Sequence, residues 1–466
     1  MDQTFNHQGH KTLCFQMGKF HVWTGTHYHP ADESDIRSQL YSFLEQWFVP
    51  NRSSVGNVID ALKAVTNLPN VRQAPCWLEG EGDAPAEEIF VCRNGRLHFP
   101  SKTLLPHTPQ YFTHNAVNYP YLPGANKPKQ WLRFLKDLWP NDQEAISTLQ
   151  EIFGYLLTPD THQQKIFLLV GPKRSGKGTI GRVITGLLER GNVCAPTLAS
   201  LSQNFGLAPL IGKQLAIIAD ARLGGRSDQT AIAERLLSIS GEDNITIDRK
   251  FLPAWTGKLT ARFFLLTNEL PRIADASGAL ASRFILLTLK KSFYGKEDPR
   301  LTRKILEELP ALLNWSIEGW ERLMERGHFV QPASSLEGWE ELEDLGSPIR
   351  AFVRDRCEMK TGGEVECRLL FGAFQAWHAG QGSRYRGTIQ TFGRDLRAAF
   401  PEISVMRQRD KDVRLRVYSG VRLQKEKNRR AAVVRGPSRP VQKSSTEKVQ
   451  NHTLFARKTQ RQQEKP

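Results

Sequence analysis

At 466 residues, with 39% hydrophobic content that includes 10 Trp and 24 Phe, the chain exceeds a typical domain of about 100–200 residues and can build more than one buried core, which excludes a peptide module or mini-protein. Its apolar runs, such as Ile166 to Val170, fall far short of the ~20 residues of a membrane helix, and the opening Met-Asp-Gln-Thr-Phe-Asn-His has neither the basic nor the apolar stretch of a secretion signal, so no membrane partner and a cytoplasmic location are expected. Lys and Arg number 64 against 48 acidic residues, a net charge of +16, and such an excess asks for a polyanionic partner.

Residues 1–100 read as an α+β module. Phe20-His21-Val22-Trp23 is strand-like, and from Ser34 the apolar residues Ile36, Leu40, Phe43, Leu44 and Phe48 recur at helical spacing. Asn94-Gly95 between Ile89-Phe90-Val91 and Leu97-His98-Phe99 marks a hairpin. His7, His10 and Cys14 have loosely ligand-like spacing but no partner pair downstream, so they read as polar residues near a terminus and not as a metal site. The six cysteines are scattered without a Cys-x-x-Cys pair, which points to reduced thiols. Residues 101–157 begin with proline-rich turns and end in an amphipathic helical pair from about Gln130 to Leu157, a helical collar.

Residues 158–329 have α/β character. Ile166–Val170, Leu215–Ala219, Phe263–Thr267 and Phe284–Leu287 are continuous apolar runs between helical patterns, the signature of strands buried on both faces. Residues 330–347, rich in Pro, Ser and acidic side chains, read as a linker. Residues 348–423 read as three short helices followed by strands Ile403–Arg407 and Asp412–Tyr418, an order that suits a winged helix. Residues 424–466 read as a disordered basic tail: from Val421 to Pro466 there are 13 Lys or Arg against three Glu, or 13 − 3 = +10.

The chemistry concentrates in Gly171-Pro172-Lys173-Arg174-Ser175-Gly176-Lys177-Gly178-Thr179, which follows the first buried strand and opens a helix. A glycine-rich turn of closely spaced backbone N–H groups, a helix N-terminus and a lysine together make a phosphate cradle, so all nine residues are candidates for binding ATP. Gly178 stands where Ser or Thr usually follows the lysine, which leaves Thr179 as the hydroxyl for Mg²⁺. Asp220, at the tip of the next long strand, is the candidate Mg²⁺ carboxylate. It is followed by Ala221, so the water-activating group is open, with Glu242 and Asp243 as candidates should the fold bring them close. Asn268 ends a third strand and suits sensing a γ-phosphate, and Arg283 suits stabilising phosphoryl transfer from a neighbouring subunit.

With motifs in this order, the chain resembles the superfamily 3 helicases, specifically the C-terminal helicase portion of the phage/plasmid primase-helicase family. The resemblance is carried by Gly171–Thr179, by Leu215–Asp220, by Ser238–Asp243 through Arg249-Lys250-Phe251, and by Thr267-Asn268-Glu269-Leu270-Pro271-Arg272, with Arg283 matching the family's arginine finger. It implies an AAA+ P-loop ATPase core with an N-terminal α+β and helical module and a C-terminal winged helix. It also implies a homo-oligomeric ring, a hexamer, that moves on DNA with ATP and Mg²⁺ in the cytoplasm of a bacterial host. The stretch around Arg249 and Lys250 is read as a hairpin gripping DNA phosphates, with Trp255 stacking on a base. The chain starts at the helicase-associated module, so no primer synthesis is expected from it, and a separate primase is a candidate partner.

Two alternatives stay open on the sequence. One is an ATP-binding replication initiator that binds DNA without efficient unwinding. The other is a nucleotide kinase, suggested by Gly176-Lys177-Gly178-Thr179. The rate of ATP hydrolysis with and without DNA separates the first from a helicase, and a monomeric state in solution would favour the second.

Overall fold

A computed structural model describes residues 5–7, 9–221, 228–273, 275, 278–382, 387–410 and 413–424. Apart from Gln424, the basic tail lies outside the described residues. Residues Met1–Leu423 form one unit by their contacts, and no helix among the described residues is long and apolar enough to cross a membrane. All six cysteines are free.

The N-terminal part carries an antiparallel sheet of β1 (Leu13–Gln16), β2 (Lys19–Trp23) and β3 (Tyr28–Ala31). Helices α1 (Glu33–Leu44) and α2 (Arg52–Val65) cover one face. Their apolar stripe, Ile36, Leu40, Val55, Ile59 and Leu62, packs on Leu13 and Phe20, so the helical spacing read in the sequence is the spacing of a buried face. Strands Ile89–Cys92 and Gly95–His98 pair across the Asn94 turn. Two helices, α3 (Lys129–Leu138) and α4 (Gln143–Leu157), follow the proline-rich coil.

At the centre lies a five-stranded parallel sheet of β4 (Ile166–Val170), β5 (Val193–Cys194), β6 (Leu215–Ala219), β9 (Arg262–Thr267) and β10 (Phe284–Thr288), in the order β10-β4-β9-β6-β5. Between β6 and β9 the chain forms α6 (Gln229–Ser240) and an antiparallel hairpin of β7 (Ile245–Arg249) and β8 (Leu252–Gly257). The strands alternate between two cores. Phe167, Leu169, Ile217, Phe264 and Leu287 join the core under α4 and α5 (Lys177–Leu188), whereas Ile166, Leu168, Ile218, Phe263 and Leu286 join the core under α6. Both faces of each strand are therefore apolar, which is why these segments read as continuous hydrophobic runs.

Helix α4 crosses α7 (Leu309–Arg326) at very short range. A Cβ on Gly154 would lie 2.3 Å from the Ser316 carbonyl oxygen, and one on Gly319 would lie 2.4 Å from that of Gln150. Glu151, 2% exposed, accepts from Arg322 Nε at 2.8 Å and from both terminal nitrogens of Arg326. Removing either arginine would leave a buried carboxylate underpaired.

Two stretches differ from the sequence expectation. Within the stretch expected as a linker, Leu336–Gly346 is a helix whose Leu342 is buried and whose Trp339 Nε1 donates to the Ala281 carbonyl at 3.2 Å. Glu337, Glu340 and Glu341 occupy its exposed side and mask a narrow apolar stripe. In residues 348–423, a strand, Cys357–Glu366, stands between the first two helices, Pro348–Arg356 and Cys367–Gly380, ahead of the third helix, Ile389–Ala399. It pairs with Val413–Leu423, which also pairs with Ser404–Asp410. Its residues Met359 to Gly362 are exposed in succession, and Gly362-Gly363 interrupts the side chains, so no alternating pattern announces it. Part of the charged turn Gln408–Lys411 lies outside the described residues.

Two predictions follow from this packing. Gly154→Ala should lower the unfolding free energy by about 1–3 kcal/mol, because the added methyl meets backbone that cannot rotate away. Denaturant titration reads this, and an unchanged midpoint would contradict the close crossing. The second concerns His21 and His114, whose rings lie 4.7 Å apart at a tilt of 38°. Burial, with the other imidazole adding to it, pushes His21 down to about 3, and burial pushes His114 down to about 4. In the unfolded chain an imidazole takes its proton near pH ~6.5 while the folded one stays neutral, so stability should fall as pH drops from there toward 4. His21→Asn/His114→Asn protein should show a shallower fall in its urea midpoint over the same window.

Candidate functional site

In a parallel sheet all strand C-termini emerge at one edge. Val170 is level with Thr267, and Ala219 with Leu266, so Gly171, Asp220 and Asn268 leave three adjacent strands together. The ladder continues past the strands. Gly171 N donates to Thr267 O at 3.2 Å, and Asp220 N donates to Leu266 O at 2.8 Å. Asp220 is exposed and has φ +62°, a left-handed backbone that turns the chain sharply off the strand. The β4–β9–β6 edge thus carries the glycine-rich turn, the amide and the carboxylate that the sequence singles out.

The turn from Gly171 to Gly176 is braced from outside. Phe293 N donates to Arg174 O at 2.9 Å and Ser292 Oγ to Lys173 O at 2.8 Å. Gly176 has φ +94°, a conformation that disfavours any side chain, and a Cβ there would also sit 3.0 Å from Phe134. Helix α5 begins at Lys177. Among the described residues, the backbone N–H groups of Lys173, Arg174, Ser175 and Gly176 donate to no protein acceptor. Ser175 is buried, whereas Pro172, Lys173 and Arg174 are exposed, and Arg174 pairs with Glu297 at 3.3 Å.

Lys177 folds over this cradle. Its Nζ donates to Gly171 O at 2.6 Å, Pro172 O at 2.8 Å, Ser175 Oγ at 3.2 Å and Asn268 Oδ1 at 3.0 Å. Burial holds its ammonium below the usual lysine range. An ammonium held by carbonyls beside a ring of undonated N–H groups is the donor set that a phosphate chain requires, so the residues present fit such a group. The position after the lysine departs from that set. A helix turns by about 100° per residue, so Thr179 does not occupy the direction of Gly178. Its Oγ1 accepts from Arg182 Nη2 at 3.2 Å, and Lys177 makes no bond to it. The Mg²⁺ hydroxyl expected at Thr179 is turned toward a guanidinium instead.

The remaining candidates lie at the other edge of the sheet. Arg283 immediately precedes β10, and its Nη1 donates to Gln164 Oε1, to Gln164 O at 3.4 Å and to Ser240 O at 3.3 Å. Gln164 precedes β4 and Ser240 ends α6. Glu242 follows α6 and accepts from Thr161 and from Lys258, both at 2.5 Å. The fold therefore does not bring Glu242 or Asp243 to Lys177, because α6 runs back along the sheet and delivers them to the edge where the strands begin.

The hairpin expected around Arg249 and Lys250 is present, with a tight turn at Lys250-Phe251 and Phe251 at φ +62°. Its side chains are distributed differently from the expectation. Trp255 is 6% exposed and packs with Ile245 and Ile247, so in this arrangement it presents no face for a base. Arg249 donates through Nε to Pro253 O at 2.8 Å and through Nη1 to Met17 O at 3.4 Å, which ties the hairpin to the β1–β2 turn. Lys250 is exposed, with its ammonium 5.1 Å from the centre of the Phe251 ring, and Phe251 is 92% exposed. Phe251 is the aromatic that sequence reasoning passed over, and its place at a two-residue turn between strands was the available signal. Among the described residues, no group of three or more His, Cys, Asp or Glu is arranged to hold a metal.

Residues 169–283 match a family described as a family of unknown function, DUF5906. Solved structures of the C-terminal region of NrS-1 are similar to this chain. The apo A form has a TM-score of 0.50 at 10% identity and covers 88% of this chain and 96% of its own. A second apo structure of that region, residues 305–718, has a TM-score of 0.49 at 12% identity, covering 87% of this chain and 95% of its own. At such identity the likeness to the first is one of fold, a mixed α/β architecture shared over most of both chains.

Proposed function

We propose that the chain is an ATP-dependent DNA helicase of the superfamily 3 type, an AAA+ motor that acts as a homo-oligomeric ring, a hexamer, in DNA replication. The observation that carries this reading is the meeting of Lys177 Nζ and Asn268 Oδ1 at 3.0 Å over the undonated N–H groups of the turn. The strand order β10-β4-β9-β6-β5 is, in chain order, 5-1-4-3-2, and the succession of helix, strand, two helices and hairpin after Pro348 is that of a winged helix. Both support the AAA+ reading, as does the fold shared with the NrS-1 region.

On this reading, Lys173 to Gly178 hold a triphosphate through backbone N–H groups, and Lys177 swings from its carbonyls to the terminal phosphates. Asp220, at the open edge beside Asn268, holds the water shell of Mg²⁺. When bound, the metal and nucleotide supply the electrophilic phosphorus and neutralise its oxygens. Asn268 orients the attacking water or the γ-phosphate. Arg283 stands at the far edge from its own Lys177, so any phosphate it stabilises belongs to a neighbouring subunit. Lys250 and Phe251 grip the strand by charge and stacking.

DNA-stimulated ATP hydrolysis and strand separation test the reading. Wild type should turn over ATP and unwind a fork, Lys177→Ala should do neither, and Asn268→Ala should lower kcat about 100-fold with little change in KM. Assembly on DNA with negligible hydrolysis would favour the initiator reading, toward which the Gly178 and Thr179 arrangement leans. A separate prediction concerns Arg283. Arg283→Ala and Lys177→Ala proteins should each be inactive alone and regain turnover when mixed, since an intact Lys177 then meets an intact neighbouring Arg283. Mixtures as inactive as their parts would refute action across the interface.

A further inference from the structure

Beneath the β7–β8 hairpin lies a cavity of about 780 Å³, within the roughly 300–1,000 Å³ of ligand sites. One wall is the N-terminal sheet and the coil around Asn115, and the other is formed by residues just ahead of β5, β6 and β9, such as Asn192, Lys213 and Thr260. The cavity therefore lies where the central strands begin, a strand's length from Lys177, or about 17 Å for five residues. Nothing in the 171–179 turn lines it, nor do Asp220 or Asn268.

Its charge is one-sided. Lys19, Arg93, Lys213, Arg249, Lys250 and Lys258 line it against a single carboxylate, Glu189. Lys258 is paired with Glu242 at 2.5 Å, and among the described residues no carboxylate reaches salt-bridge distance of the other five cations. Their mutual repulsion is relieved by an anion in the space between them. The N-terminal wall that carries Lys19 also holds uncharged, hydrogen-bonding groups. His114 Nδ1 faces the Tyr28 carbonyl at 3.2 Å and so carries the proton, leaving Nε2 as an acceptor. Burial keeps His21 and His114 neutral, with values pushed down to about 3 and about 4. His21 Nδ1 and Asn115 Oδ1 are buried behind this wall with no partner in the protein, so the surface it offers the cavity is made by ring faces and edges rather than by these atoms.

We propose that this cavity binds a short stretch of single-stranded DNA, its phosphates on Lys19, Arg93 and Lys213 and its base against the His21, His114 and Asn115 wall. The inference rests on the reading of the chain as a DNA motor and deepens it: the N-terminal module becomes half of the DNA site. The Arg249 bond to Met17 fixes the hairpin against the β1–β2 turn, so a strand gripped at Lys250 is already at the cavity mouth.

Anisotropy of a labelled oligothymidylate, measured without ATP on full-length Lys177→Ala protein, tests the site. Adding Lys19→Gln/Lys213→Gln should weaken binding roughly tenfold and flatten the slope of log K against log salt by about 1.4, two phosphates at about 0.7 each. Lys127→Gln/Lys136→Gln, which loses equal charge outside the cavity, should leave the slope unchanged. Equal effects of the two pairs would overturn the proposal. Photo-crosslinking of a thiothymidine oligonucleotide should map to peptides holding His21 to His29 or Asn115, and crosslinks confined to Phe251 or the tail would overturn it independently of folding losses. Displacement of the oligonucleotide by thymidine triphosphate would assign the cavity to a free nucleotide and overturn the strand assignment. None of these readouts needs ATP turnover, so a failed helicase reading and a failed cavity reading give different results.

Discussion

The polarity of a parallel sheet is the constraint on which the rest of the molecule depends. Every strand of the central sheet points the same way, so one edge collects all the C-termini and the other all the N-termini. The first edge receives Gly171, Asp220 and Asn268, with Lys177 folded between the turn and the amide. The second receives Arg283, Glu242, the hairpin and the basic cavity. A strand of five residues, Ile166–Val170, spans about 17 Å, which keeps the polar groups of one edge apart from those of the other.

That separation requires a stiff sheet, and the packing supplies it. Alternate residues of each strand enter different cores, so no face is left to water. Each fully buried large side chain contributes about 1.5–3 kcal/mol. Outside the sheet, α4 and α7 approach through Gly154 and Gly319 and lock through Glu151 with Arg322 and Arg326. On the far side, Arg249 joins the hairpin to the N-terminal module. The hairpin is thereby supported on a second side by the β1–β2 turn.

Residues with strong local signals were legible in the chain. The continuous runs Ile166–Val170 and Leu215–Ala219 are strands as read, because burial on both faces leaves no other composition. The glycine-rich turn was legible because the left-handed backbone at Gly176 disfavours a side chain, and the tight hairpin because it sits between alternating Ile245 and Ile247 and the return strand. The helix Leu336–Gly346 and the strand Cys357–Glu366 were hidden, the one by acidic surface residues and the other by an exposed run that ends at two glycines. Trp255 was misread because an aromatic near a basic tip can face a base or the core, and only packing against Ile247 decides between them.

By itself the sequence determined the kinds of groups present: a glycine-rich turn, a lysine, strand-end polar groups, and an excess of positive charge. Those are local properties, written in residue type and spacing. The tertiary structure alone decided their company. It set Lys177 against Asn268, placed 91 positions later, turned Thr179 toward Arg182, and carried Glu242 and Arg283 away from the cradle. It also gathered Lys19, Arg93 and Lys213, distant along the chain, around one cavity. The physical reason is that side-chain neighbours are fixed by strand order and by helix direction, and neither can be read from any short window of residues.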